Sequence, residues 1–377
     1  MLFSQILGQA SVKQKLIRSV REARISHAQL FLGAEGSGAL PLAIAYAQYI
    51  ACTNKSDSDS CGTCTSCKQF AKLSHPDTHF LFPQIVKKKE EEKGRGVHLA
   101  AFREAFVENP YLTLSDWFES AELDNKQGII NVEDVAELNR KLSLRSFLGG
   151  YKIAIIWLPE KMHASASNKM LKIFEEPPDK TLFILVSENS ESLLPTVLSR
   201  MQLIKVGKLS DEEIFQFLHE KKELEFHAAK SISRVADGNF SEALKFTQSS
   251  NREEQVMKIR DWFLLCHGFR KNTAELLKWT DKMAAEERED QKIFLAGAMY
   301  VFRESFLISG GTESLVRLEG QELGFARKFS RLIHPDNAEK IFGNMSEAHY
   351  HLERNAYSKL LFLDLSFRLG TLLNPKP

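Results

Sequence analysis

Two kinds of hydrophobic patterning divide the chain. Through about residue 206, short apolar runs alternate with helical patterns, as expected for a parallel sheet built from β-α units. The spacing predicts strands over Gln29 to Leu32, Thr78 to Phe82, Gln127 to Ile130, Ile153 to Trp157, Leu182 to Ser187 and Gln202 to Val206. Ile153-Ala154-Ile155-Ile156-Trp157 and Leu182-Phe183-Ile184-Leu185-Val186 are apolar at every position, which a strand needs when helices cover both faces, so these are predicted to be central. From about Ser210 the β signal stops and period-3.6 patterns take over, opening on Ser210-Asp211-Glu212-Glu213 as a helix cap. Gly238 and Asn239 mark a turn within a small helical unit, and from about Asn251 the pattern is that of longer packed helices. Three domains are expected: an α/β domain over 1–207, a small helical domain over 208–250 and a helical bundle over 251–377.

Composition narrows the class. A chain of 377 residues exceeds what one core usually serves, and 43% hydrophobic with 26% charged residues is ordinary globular usage. Lys plus Arg number 50 against 49 Asp plus Glu, so no global positive field draws the chain to nucleic acid by itself. No apolar run approaches the roughly 20 residues of a membrane span, and the N-terminal residues lack a basic region followed by an apolar core, so a cytoplasmic protein with no membrane partner is expected. The run Lys87-Lys88-Lys89-Glu90-Glu91-Glu92-Lys93-Gly94-Arg95-Gly96 is read as a solvated loop.

After the first predicted strand comes Gly33-Ala34-Glu35-Gly36-Ser37-Gly38-Ala39-Leu40, followed by a helical pattern through Ile50. The frame is that of a phosphate-binding loop, G-x-x-x-x-G-K-[ST], in its strand-loop-helix setting. Phosphate chemistry needs a Lys ammonium on the β and γ phosphates and a hydroxyl on Mg²⁺, yet those positions hold Ala39 and Leu40. Tight binding of Mg-ATP is therefore not expected; Gly33, Gly36 and Gly38 either make a tight strand-to-helix turn or retain a weak anion site at the helix N-terminus. An acidic pair at the end of a strand would complete an ATPase site. Here Ile155-Ile156 runs into Trp157-Leu158-Pro159, and Glu160 beyond the proline reads as an exposed turn residue.

Cys52, Cys61, Cys64 and Cys67 fall within sixteen residues, with Gly62 and small polar residues between them, while Cys266 stands alone in a helical pattern. Four closely spaced thiolates fill a tetrahedron around Zn²⁺ and leave no open position, so a structural zinc site is expected. His75 and His79 lie near enough to be considered as ligands, but four cysteines already fill the tetrahedron, which leaves the histidines a local packing or capping role.

Together these features resemble the clamp-loader branch of the AAA+ family in bacterial DNA polymerase III, and within it the delta-prime class. The resemblance covers roughly Phe3 to Leu244. It rests on Ile6-Leu7-Gly8-Gln9, His27-Ala28-Gln29-Leu30-Phe31, the four-cysteine insertion after the loop helix and His75-Pro76-Asp77. It continues through Asn168-Lys169-Met170-Leu171-Lys172-Ile173-Phe174-Glu175-Glu176-Pro177-Pro178 and Leu194-Pro195-Thr196-Val197-Leu198-Ser199-Arg200. It implies that the 1–207 domain is a degenerate P-loop ATPase-like domain with its zinc insertion at 52–67, that 208–250 is a helical lid, and that 251–377 is an all-α collar used in oligomerisation.

The active ATPase subunits of that family share the plan, and the lost residues separate them from this chain: Ala39, Leu40, Trp157 and Leu158 replace the working groups, and the lid's sensor arginine would fall at Ser241. The family's Ser-Arg-Cys motif corresponds to Ser199-Arg200-Met201, which departs at its third residue but keeps the arginine. The resemblance implies that Arg200, oriented by Ser199, is an arginine finger for a neighbouring subunit's ATP. It implies no enzyme activity for the chain alone, and partners that include ATPase subunits and a clamp-opening subunit in a hetero-oligomeric ring. Sliding clamp and primer-template DNA would be met through that complex. Two other readings are an active gamma/tau-like ATPase and a stand-alone zinc-dependent nucleic-acid-binding module.

Overall fold

The apolar runs become the strands of one parallel sheet: β1 (Ala28–Leu32), β2 (Thr78–Leu81), β3 (Lys152–Trp157), β4 (Thr181–Ser187) and β5 (Gln202–Lys205), in the order β2-β3-β4-β1-β5. The computed structural model describes residues 1–84, 98–121, 128–248, 252–318, 320–353 and 356–374. Every residue of β3 and β4 is buried, as their unbroken apolarity requires. Edge strand β5 keeps Gln202, Leu203 and Lys205 exposed.

The period-two rule then distributes side chains to two cores. Ile153, Ile155 and Trp157 of β3 join Leu182, Ile184 and Val186 of β4 on one face, while Ala154, Ile156, Phe183 and Leu185 face the other way. The first face is covered by α2 (Ala39–Ala51) and the second by α6 (Val132–Leu142) and α7 (Ala164–Glu175), which bury Val135, Leu138, Leu142, Ala166, Met170 and Ile173.

The strand expected over Gln127 to Ile130 is absent as such. Ile129 and Ile130 make only isolated bridges, to Gln84 and Met162, and Gln127 lies outside the described residues, as does the charged run from Lys87 to Gly96. Two apolar residues bounded by Gly128 and the start of α6 are too short a stretch to hold a ladder.

The remaining helices of the first half are α1 (Ala10–Arg21), α3 (Thr65–Phe70), α4 (Leu99–Glu108), α5 (Leu114–Ser120) and α8 (Pro195–Leu198). The Ser210 cap forms as expected: its hydroxyl accepts from Glu213 N–H at 3.2 Å while the Glu213 carboxylate accepts from Ser210 N–H at 2.9 Å, starting α9 (Asp211–Gln216). Next come α10 (Phe226–Val235) and α11 (Phe240–Gln248).

The chain separates into two compact units, Met1–Ala243 and Leu244–Pro377. The second has its own core, built from α12 (Arg252–His267), α13 (Thr273–Ala285), α14 (Arg288–Ser309), α15 (Gly320–Phe329), α16 (Pro335–Glu353) and α17 (Ser358–Leu373). Buried Trp262 donates its indole N–H to Ser366 at 2.8 Å, and Cys266 is fully buried beside them in the same helix. Among the described residues no helix is long and apolar enough to cross a membrane.

Candidate functional site

The loop after β1 keeps the backbone of a phosphate cradle and fills its interior with protein. Gly33 N–H donates to the Ser187 carbonyl at 3.1 Å, which ties the loop to β4, and Ser37 N–H closes a turn onto Ala34 at 3.1 Å. Gly36 (φ +71°) and Gly38 (φ +87°) take left-handed conformations that favour glycine, and Gly38 caps α2. A methyl on Gly36 would sit 1.8 Å from Oδ1 of Asn239, because the turn before α11 presses directly on the loop. There Phe240 N–H donates to the Gly36 carbonyl at 3.2 Å, and the Asn239 amide reaches Glu35 Oε1 at 3.3 Å. From the other side Gln9 donates to the carbonyls of Ser37 (3.1 Å) and Gly207 (2.6 Å).

What remains is a cavity of about 30 Å³, lined by Gly33 to Gly36, Gly38, Ala39, Leu40, Tyr111, Trp157 and Glu188 among others. That volume holds one or two waters, whereas ligand pockets run to about 300–1,000 Å³. Ala39, Leu40 and Trp157 are buried as core residues, at 7%, 5% and 3% exposure. Pro41, third in α2, has no N–H to offer an anion, and Glu35 and Glu188 add negative charge to the lining.

Tyr111 completes the filling. Its ring lies 3.1 Å from where a Gly38 Cβ would be and stands edge-on to Phe240 at 4.6 Å, and its hydroxyl accepts from Leu7 N–H at 2.9 Å. Burial pushes its phenol up to about 12. Nothing in the pattern around Asn109-Pro110-Tyr111 marks this role, and Asn239 was legible only as a turn residue.

At the end of β3 stand Trp157 and Leu158 (φ +54°), neither of them an acid. Glu160 is in a turn, Pro159–Lys161, but is not exposed: it is half-buried, and its carboxylate accepts from Glu188 N–H at 3.0 Å. Ser241 is buried at 1% exposure.

The four cysteines converge. Their sulfurs all lie within 4.8 Å of one another, with Cys52–Cys61, Cys52–Cys64 and Cys61–Cys67 separations of 3.6, 3.9 and 3.9 Å. A zinc–sulfur bond of about 2.3 Å in a tetrahedron places sulfurs about 3.8 Å apart, so the donor set fits zinc in both element and spacing. Gly62 (φ +70°) turns the chain between ligands, and the N–H groups of Cys61 and Cys64 point at the sulfurs of Cys52 and Cys61, each at 3.3 Å. Burial raises the Cys52 and Cys67 thiols. Backbone N–H groups lower that of Cys61, and against the effect of burial they bring Cys64 to about 6. His75 packs its ring at a tilt against Phe70, centroids 4.7 Å apart, and His79 is half-buried in β2; neither belongs to the sulfur cluster.

Arg200 follows α8, distant in sequence from the loop. One terminal nitrogen donates to the Thr196 carbonyl at 2.8 Å and lies 3.4 Å from Ser199 Oγ, while the other pairs with the Glu175 carboxylate at the end of α7. Ser199 Oγ donates to the same Thr196 carbonyl at 3.1 Å. The arginine side chain is about a third exposed. Glu175 belongs to the Glu-Glu-Pro-Pro run quoted above for the resemblance, where nothing local marks it as a partner for Arg200.

The family model described as DNA polymerase III, delta subunit matches residues 8–210, more than half of the chain. The chain belongs to this family. Its curated relatives agree with the resemblance drawn from the motifs: the delta-prime subunit of Bacillus subtilis is 24% identical over 305 residues, 81% of this chain and 79% of that subunit. The Escherichia coli delta-prime subunit is 26% identical over 238 residues, 63% of this chain and 59% of its own length. The tau subunit of Bacillus subtilis aligns over 96% of this chain and 60% of its own length at 19% identity. Among solved structures, a gamma-subunit-related protein of Thermotoga maritima superposes with a TM-score of 0.40 at 14% identity, covering 96% of this family member and 99% of that chain.

Proposed function

We propose that this delta-prime-class chain is a clamp-loader component that holds no nucleotide of its own and assists hydrolysis in a neighbouring subunit through Arg200. In this reading residues 1–207 are an AAA+-like domain, 208–250 its lid and 251–377 a collar that joins ATPase and clamp-opening subunits in a ring. Sliding clamp and primer-template DNA are reached through that ring. The observation that supports the reading is the narrow cradle: Tyr111, Leu40 and Trp157 line the space beside the glycine loop, and about 30 Å³ remains between them. With no nucleotide of its own to serve, an arginine presented at the surface serves chemistry elsewhere.

Cys52, Cys61, Cys64 and Cys67 are proposed to hold a structural zinc, which ties the segment after α2 to α3. The module is tied to the N-terminal segment through its own Asp59, whose carboxylate accepts from the N–H groups of Phe3 (3.0 Å) and Ser4 (2.9 Å). All four ligand positions are protein sulfurs, so the metal contributes folding energy and no reaction chemistry.

Arg200's role is tested in a reconstituted loader. A guanidinium supplied in trans is worth about 10³ to 10⁵ in rate in related phosphoryl transfers. Arg200→Ala is expected to lower DNA-stimulated ATP turnover steeply while the mass of the assembled complex is unchanged. Turnover equal to that of the unaltered complex would overturn the assignment.

A further inference from the structure

We infer that Glu175 is the positioning residue for Arg200, fixing the guanidinium so that its remaining donors face a neighbouring subunit's phosphate; this rests on the trans-arginine reading above. Arginine carries five N–H donors in a planar fork on a long, flexible stem. Two acceptors on different elements hold that fork here: the Thr196 carbonyl takes one terminal nitrogen and Glu175 takes the other. Two points fix the direction of the stem and the tilt of the plane together, which neither does alone.

Both mounts are rigid. Ile173 and Phe174 of the last turn of α7 are buried, Phe174 packs edge-on against Phe183 of β4 at 5.2 Å, and its carbonyl lies 3.2 Å from His27 Nε2 at the start of β1. Pro177 then stops the helix, confining Glu176 to a non-helical conformation (φ −124°, ψ 71°) and leaving Glu175 as the last helical residue. On the other side Val197 of α8 and Leu193 just before it are buried in the core on the same sheet face. The carboxylate and the turn carbonyl are therefore anchored to one sheet, and the arginine hung between them inherits its rigidity. Ser199 contributes less, since its oxygen is 3.4 Å from the guanidinium and its own hydrogen is committed to Thr196.

The pair is half-exposed, which limits its strength to the range of surface ion pairs and sets the expected effect at about fivefold at most. The experiment uses the whole reconstituted loader with Glu175→Ala, Glu175→Asp, Arg200→Ala and the Glu175→Ala/Arg200→Ala double variant. DNA-stimulated ATP hydrolysis is measured across ATP concentrations. Glu175→Ala is expected to lower kcat about two- to fivefold with KM for ATP unchanged, because the loss falls on the transition state. Glu175→Asp is expected to recover part of the loss, and the double variant to match Arg200→Ala alone.

Each alternative outcome is distinct. If Arg200→Ala lowers turnover but Glu175→Ala does not, Glu175 does not position the arginine and the inference fails while the trans role stands. If Glu175→Ala raises turnover, the carboxylate competes with phosphate for Arg200, and the inference is overturned in favour of a latch. If the double variant falls well below Arg200→Ala, Glu175 acts through general stability instead. If Arg200→Ala itself changes nothing, the trans role is what fails.

Discussion

Restoring the two lost side chains should not restore nucleotide binding, because they are core residues now. Leu40 is 5% exposed and belongs to the apolar cluster between the sheet and α2. Exchanging it for Thr removes most of a buried side chain and adds a hydroxyl, at about 2–4 kcal/mol by analogy with buried Leu truncations. Ala39→Lys places a four-carbon stem and an ammonium at a buried helix N-terminus, where the dipole is unfavourable, although Glu35 and Glu188 line the same cavity. Overpacking of this kind costs about 1–3 kcal/mol. The combined loss, about 3–7 kcal/mol, is a large part of an ordinary domain's 5–15 kcal/mol.

Urea unfolding followed through Trp117 and Trp157, both buried in the first unit, reads this directly if Trp262 and Trp279 of the second unit are replaced by Phe. Adding 1 mM Mg-ATP to the Ala39→Lys/Leu40→Thr variant is expected to leave the midpoint where it was. A ligand present at a hundred times its Kd would add about 2.7 kcal/mol. A midpoint gain of that size would mean that the Tyr111-filled space opens readily, and the volume reasoning would be wrong.

Purified protein should carry about one zinc per chain by metal analysis, with Cys61→Ser or Cys64→Ser abolishing it and lowering the unfolding midpoint of the first unit; full metal loss with no change in stability would deny zinc a structural role. Gly36→Ala should destabilise the same unit by about 1–3 kcal/mol, since its methyl meets Asn239 at 1.8 Å and its φ is +71°, and Asn239→Ala should recover part of that loss in the double variant.

Legibility in the sequence followed how local the signal was. The inner strands β3 and β4 were readable because unbroken apolarity has one structural use at that length, and Ser210 with Glu213 was readable because both halves of the capping box lie three residues apart. Ile129 and Ile130 misled because an apolar pair looks the same in a strand and in isolated bridges. The cysteines declared their own geometry through spacing.

By contrast, the loop's vacancy for lysine was plain at Ala39, but its filling was not. Tyr111 comes from a turn more than seventy residues downstream and Asn239 from a turn two hundred residues away, and neither carries a local pattern. Glu160 was misplaced for the same reason: its burial depends on Glu188 of another segment. Glu175 was visible as a residue and invisible as a partner of Arg200.

The most direct test is a calorimetric titration of the unaltered chain with Mg-ATP. With about 30 Å³ in the loop and hydrocarbon where a cation and a hydroxyl would be, no heat of binding is expected up to millimolar nucleotide. A magnesium-dependent isotherm with a micromolar Kd, lost when a bulky residue replaces Gly38, would contradict it.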